Sequence, residues 1–306
     1  MGGIGTAGEG QAADASPGRM DDDDRFDFDV VFDPEDYLYF YAASLTPERT
    51  AREVALVRAL LGLRPGDEVL DLACGHGRLA IPLAEMGIRV TGLDRSEGFL
   101  RRARDEAARR GVAVDFVLGD MRRLPWRDRF DAVYNVFTSF GYFSDADNQR
   151  VLEEVARALR PGGRFLLETQ NRDALLGSLV PFNVVERGDD FLIDAHHYDP
   201  VRGRIYTRRA MVRDGRVRRG QFFVRLYTPP ELAAMLRRAG LELEGFYDET
   251  GAPLGPRSRR IVVVARRPGG PAGDAIGPAP AGGTGGAGSG GAGSGGGGGG
   301  HGTGTG

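Results

Sequence analysis

From residue 46 onward the apolar positions follow a helical period that alternates with short, continuous apolar runs. Thr46 and Pro47 have the form of a helix cap and first helical residue. Val54, Val57 and Leu61, with Leu56 and Leu60, then recur at three- and four-residue spacing until Gly62 and Pro65-Gly66 break the run. Glu68 to Leu72 reads as a buried strand, and His76 to Met86 as a helix. Arg89 to Leu93 is the next strand, and Ser96 caps a helix running to about Arg110. Further strands fall at Val112 to Leu118, Phe130 to Val136 and Arg164 to Glu168. The helix that begins at Ser144 carries Val151, Leu152, Val155 and Leu159 on one face. Strands separated by helices in this way predict a parallel sheet covered on both faces.

The rhythm changes near Asn171. Residues 183–227 read as antiparallel strands around an Asp214-Gly215 hairpin turn. Thr228-Pro229-Pro230-Glu231 is a capping box that opens a helix to about Arg238, and Leu241 to Tyr247 and Arg259 to Ala265 close the pattern as paired strands. Before all of this, the aromatic and acidic stretch Pro34 to Leu45 predicts a short helix.

Composition trims the ends. From Pro268 to Gly306, 21 of 39 residues are glycine; the first twenty hold six more, and Asp21 to Asp24 is an acidic run. Such segments bury too little apolar surface to offset the entropy of ordering them. The expected organisation is a disordered stretch 1–33, one domain over 34–267 with an inserted β layer at about 183–227, and a disordered tail 268–306. No apolar stretch approaches the length of a membrane helix and no signal peptide is visible, so the expectation is a cytoplasmic protein without a membrane partner. Every one of the 40 basic residues is arginine. Without lysine, a Walker-type phosphate site, a pyridoxal Schiff base and kinase chemistry are excluded. The single cysteine, Cys74, excludes an intrachain disulfide and a cysteine zinc site, and no metal is expected.

The segment Val69-Leu70-Asp71-Leu72-Ala73-Cys74-Gly75-His76-Gly77 runs from a strand into a glycine turn and a helix, the layout of a nucleotide site in an open α/β sheet. Asp94, closing the next strand, is placed to accept hydrogen bonds from a ribose. Gly75, Gly77 and Ala80 also satisfy the dinucleotide fingerprint, so an NAD-dependent oxidoreductase stands as an alternative. Asp71 argues against it: a carboxylate at the mouth repels a pyrophosphate and suits a ligand with an ammonium group, such as S-adenosylmethionine.

On these residues the chain resembles the class I S-adenosylmethionine-dependent methyltransferases. The family's strand-end acid and glycine turn are matched by Asp71, four residues before the first glycine, and by Gly75 and Gly77, its ribose acid by Asp94, and its adenine-contacting acid by Asp120, followed by Met121. The fourth strand and the Pro161-Gly162-Gly163 turn match as well. The resemblance implies a doubly wound, seven-stranded, mostly parallel sheet of order 3-2-1-4-5-7-6 with N-terminal helices and an inserted antiparallel β lid. It also implies S-adenosylmethionine as cofactor. Ala73, Cys74, Arg95 and Asn135 join the expected cofactor-binding set.

The acceptor is less defined. The Asn135 to Phe143 segment departs from the N-P-P-Y motif of nucleic-acid adenine methyltransferases, and the absence of lysine excludes the lysine-containing ribose-methylating arrangement. A small-molecule acceptor methylated on N or O is therefore expected. Strand alternation puts Phe191, Ile193, Ala195 and His197 on one face and Leu192, Asp194, His196 and Tyr198 on the other. His197, on the more apolar face, is the candidate general base, with Tyr142 as a second catalytic candidate; a structural role is preferred for His197 and stands level for Tyr142. Eight arginines between Arg202 and Arg219, with Asp214 the only acid, fit a phosphate or RNA clamp or simply a solvated hairpin. The solvated hairpin is preferred, so nucleic acid is not the expected partner, and an RNA methyltransferase remains an alternative.

Overall fold

The computed structural model describes residues 25–269. Leu70, Leu72, Val133, Phe165, Leu167 and Val263 are all buried on one face of a seven-stranded sheet. Val69, Tyr134, Leu166, Val262 and Val264 are buried on the other. Strands so apolar on both faces need helices above and below them. Strands β1 (Glu68–Leu72), β2 (Arg89–Asp94), β3 (Asp115–Leu118), β4 (Phe130–Asn135) and β5 (Leu159–Gln170) run parallel, and β10 (Glu242–Tyr247) and β11 (Arg260–Arg266) complete the sheet. The order is β3-β2-β1-β4-β5-β11-β10, with β11 antiparallel to both neighbours, as the resemblance implied.

Helices α3 (Pro47–Leu61), α4 (Ala80–Glu85) and α5 (Glu97–Arg110) cover one face through Val57, Leu60, Leu83 and Leu100. Helices α6 (Asp145–Ala158) and α8 (Pro229–Arg238) cover the other through Val151, Leu152, Val155, Leu232 and Leu236. The caps read from sequence are formed: Thr46 Oγ1 accepts from Arg49 N at 3.2 Å, and Thr228 and Glu231 make the reciprocal box that fixes where α8 begins.

Helix α7 (Arg172–Gly177) leads from β5 into a second sheet of β6 (Phe182–Arg187), β7 (Asp190–Asp199), β8 (Arg204–Arg213) and β9 (Arg216–Arg225), all antiparallel. Asp214 and Gly215 turn β8 into β9 with φ of 50° and 71°, the two left-handed residues of a tight hairpin. This is the expected lid, displaced by one or two residues.

Four boundaries differ. Strand β5 begins at Leu159, the residue expected on the face of the preceding helix, and not at Arg164. The predicted helix at His76 begins at Ala80, because Ala73, Gly75 and Gly77 all hold positive φ and keep residues 73–79 in turns. The third strand is shorter than its apolar run, starting at Asp115. Ordered structure also begins before residue 34. Residues 25–33 include α1 (Phe28–Val31), which packs on β9, and Asp27 Oδ2 accepts from Gln221 N at 3.0 Å. The acidic run at 21–24 and the tail beyond residue 269 lie outside the described residues. α1 and α2 (Pro34–Tyr41) form a strap against the lid, with Asp36 paired to Arg213 at 2.9 Å and to Arg218.

Candidate active site

A cavity of about 640 Å³ opens at the carboxyl ends of β1, β2, β3 and β4, roofed by the strap and the lid. Its floor is the turn after β1. Asp94 ties that turn to the neighbouring helix: Oδ2 accepts from Gly75 N at 2.8 Å and Oδ1 from Ser96 N at 2.8 Å. Gly75, at φ +55°, has open space where a side chain would begin, so a ligand can lie against its backbone. Asp71 is almost fully buried on the cavity wall, and burial pushes its carboxyl up to about 7. Asp120 at the end of β3 is bound by Arg122, with Nη2 to Oδ2 at 2.6 Å, and this hydrogen bond holds its pKa below the ordinary carboxylate value.

Aromatic rings line the strap side. Tyr37 stacks on Tyr41 with centroids 4.6 Å apart and meets the edge of Phe99 at 5.4 Å. Tyr142 lies edge-on to Phe26 and Phe32, at 5.3 and 5.7 Å. Burial raises its phenol further above the ordinary value, so it stays protonated and can donate a hydrogen bond. Arg49 and Arg78 both sit over the Phe137 ring, and Glu53 pairs with the two guanidinium groups. Phe137 and Thr138 are both left-handed, at φ 63° and 57°, a strained step for non-glycine residues. Glu168 holds it in place: its Oε2 accepts from Phe137 N at 2.7 Å.

The lid contributes a polar inner face. Asp194 on β7 lies directly opposite Arg209 on β8, and the two make a bidentate pair at 2.8 and 2.7 Å. Arg209 Nη2 also donates to Tyr41 Oη at 2.9 Å, joining lid to strap. Two pairs along, His196 Nδ1 lies 2.9 Å from Thr207 Oγ1, and burial holds the imidazole below its ordinary pKa.

Of the expected cofactor residues, Asp71, Ala73, Cys74, Gly75, Asp94, Arg95, Asp120 and Met121 all line this cavity, and so does Tyr142. Several expectations change. His197 is exposed on the outer face of the lid, while its neighbour His196 lines the cavity. The cleft-facing side of β7 is the one carrying Asp194, whose polarity is cancelled by Arg209 across the ladder. Asn135 is buried between strands, where Nδ2 donates to Leu72 O at 2.6 Å, so it joins β4 to β1 and does not line the cavity. Gly77 is also off the wall: a Cβ there would meet Phe116 Cζ at 3.0 Å and Ile81 Cδ1 at 3.1 Å, so it serves turn and packing. The arginine-rich hairpin is solvated only in part: Arg208, Arg216 and Arg219 are exposed, whereas Arg209, Arg213 and Arg218 are paired with Asp194, Asp36 and Asp33. Residues not singled out from sequence are Phe26, Phe28 and Phe32, Glu168 and Arg260. The three phenylalanines at every second or fourth place were legible as an apolar pattern next to the acidic run, but Glu168 and Arg260 carried no sequence signal.

The fold and the strand-end acids define a class I S-adenosylmethionine-dependent methyltransferase architecture. Residues 69–163 match the family described as a methyltransferase domain. A demethylmenaquinone methyltransferase of Renibacterium salmoninarum is 36% identical over 124 residues, which cover 40% of this chain and 49% of that one. The chain thus spans about half the length of the curated relatives it matches. Among solved structures, the CcbJ methyltransferase of Streptomyces caelestis is 28% identical with a TM-score of 0.63, covering 73% of this chain and 91% of that one. The sugar N-methyltransferase KedS8 of a Streptoalloteichus species shares the fold at 22% identity and TM-score 0.59, covering 88% and 99%. The family match sets aside the NAD reading. Among the described residues, no helix is long and apolar enough to cross a membrane, and no cluster of side chains suits a metal ion.

Proposed function

We propose that this protein transfers the methyl group of S-adenosylmethionine to a nitrogen or oxygen of a small-molecule acceptor. The observation that carries the reading is the row of acids Asp71, Asp94 and Asp120 along the ends of β1, β2 and β3, all facing one roofed cavity. The residues fit the cofactor. Asp71 offers a buried charge to an ammonium group, Asp94 and the Gly75 backbone face a ribose, and Met121 offers an apolar contact for an adenine. A volume of about 640 Å³ lies within the range for a drug-sized ligand. Arg209, Arg213 and Arg218 of the lid are paired with acids of the same chain, which favours a small acceptor over RNA.

S-adenosylmethionine, held by Asp71, Asp94, the Gly75 backbone and Met121, would supply an activated methyl group for displacement by an acceptor's lone pair. The protein's part is alignment and exclusion of water; orientation of this kind lowers barriers by roughly 7–11 kcal/mol. The strained Phe137-Thr138 step, fixed by Glu168, shapes the floor between cofactor and acceptor. Tyr142 donates a hydrogen bond that orients the acceptor. His196 takes the proton the acceptor loses: its neutral imidazole carries Nδ1 on Thr207, leaving Nε2 for the acceptor. A cytoplasmic site of action belongs to the same reading.

The test has two parts. Calorimetry with S-adenosylhomocysteine should show binding that Asp94→Ala weakens by at least about tenfold, since hydrogen bonds to a charged group contribute about 1.5–3 kcal/mol each. Labelled S-adenosylmethionine offered with cell extract should then yield a labelled small molecule. Label confined to RNA, or unchanged affinity in the variant, would overturn the assignment.

A further inference from the structure

The cavity continues past the cofactor-binding row. Asp120, Asp94 and Asp71 stand at the ends of β3, β2 and β1, and β4, β5 and β11 follow in the sheet. A ligand with its adenine at β3 would extend along this row toward β4, which leaves the cavity over β5 and β11 for an acceptor. Gln170, the last residue of β5, and Arg260, the first of β11, are register partners at that end, and both line the cavity.

Arg260 differs from the other guanidinium groups around the cavity that are not exposed. Arg209 is fully engaged by Asp194 and Tyr41, Arg122 by Asp120, and Arg78 by Glu53 and Thr50. Arg260 has one distant partner: its Nε lies 3.5 Å from Glu168 Oε1, while the other Glu168 oxygen is occupied by Phe137 N. Its Nη1 is buried with no hydrogen-bond partner. A buried guanidinium nitrogen left without an acceptor is costly, and a ligand oxygen would satisfy it. Beside it, Leu175 and Leu179 pack with Ile205 and Val224 of the lid as an apolar wall.

We infer that the methyl acceptor carries an oxyanion, a carboxylate or a phosphate, bound by Arg260 with Gln170 beside it, and an apolar body lying on the Leu175, Leu179, Ile205 and Val224 wall. This rests on the methyltransferase reading and assigns the substrate class to it. Arg260 binds the acid in the planar two-point manner that guanidinium favours. The anion is thereby kept at the β11 end, so that the nucleophilic nitrogen or oxygen of the same molecule projects toward β4 and His196.

The experiment follows the labelled product from cell extract onto a strong anion-exchange resin at pH 11, where a methylated amine no longer carries a compensating positive charge. Retention is expected; release after phosphatase treatment identifies a phosphate, and unchanged retention a carboxylate. A product that flows through overturns the inference while leaving the methyltransferase reading intact. Absence of both S-adenosylhomocysteine binding and labelled product would remove the two together. With the isolated acceptor, Arg260→Gln should raise KM about 10- to 100-fold while the affinity for S-adenosylhomocysteine stays within twofold, which also shows that the variant is folded. Arg260→Lys, which retains the charge but not the fork, should recover part of that loss. An unchanged KM in Arg260→Gln refutes the assignment.

Discussion

The buried carboxylate of Asp71 makes cofactor affinity depend on pH in a window where few carboxylates titrate. Burial in the ligand-free protein raises its pKa to about 7. An ammonium group placed beside it favours the ionised form, so binding lowers the pKa and releases a proton. The sign follows: the tight-binding form is the carboxylate, and affinity falls as pH drops through 7. With a free-protein pKa near 7, about 9% of Asp71 is ionised at pH 6.0 and about 76% at pH 7.5, so the dissociation constant should be about eightfold larger at pH 6.0. About half a proton should be released per ligand at pH 7, visible as a difference in binding heat between two buffers of unlike ionisation enthalpy. His76 does not confuse the window, because burial holds it at about 4. Asp71→Asn should bind S-adenosylhomocysteine more weakly and with a flat profile; any slope left in the variant belongs to Asp94, whose pKa burial also raises. If the wild-type constant changes less than twofold over this range, Asp71 does not face the ammonium group, and the electrostatic argument for this cofactor fails.

The lid offers two further checks. Arg209→Ala strands Asp194 in a buried site, which costs about 3–5 kcal/mol and should lower the melting temperature by about 6–20 °C in a scan; a shift below 2 °C would mean that the pair does not couple the lid to the fold. Arg209→Met with Asp194→Leu should recover much of that loss. His196→Gln should reduce kcat/KM by about 100-fold or more on an acceptor that must lose a proton, whereas His197→Gln should leave it within twofold; the reverse ranking would restore the outer face of β7 to the cleft.

The cofactor half of the site was legible because its chemistry sits in one local pattern per strand. A strand end, a glycine turn and a helix start lie within ten residues, so Asp71, Gly75, Asp94 and Asp120 could be placed without knowing any long-range contact. The acceptor half is built from pairs distant in sequence. Alternation gave both faces of β7 correctly, yet which face turned inward depended on Arg209 lying opposite Asp194, fifteen positions away in the chain. Apolarity then misled: the face with Phe191 and Ile193 looked buried, while the inward face carries an ion pair that cancels its own charge. Arg260 was invisible for a related reason, since its unsatisfied nitrogen exists only because Glu168 spends an oxygen on the backbone of Phe137. Asn135 fails in the opposite direction. At the tip of a strand it has the residue type and position of a ligand contact, but the carbonyl of Leu72 on the adjacent strand claims its amide first. Residues whose role is set by a neighbouring strand therefore escape a reading of the chain, whereas residues whose role is set by their own turn do not.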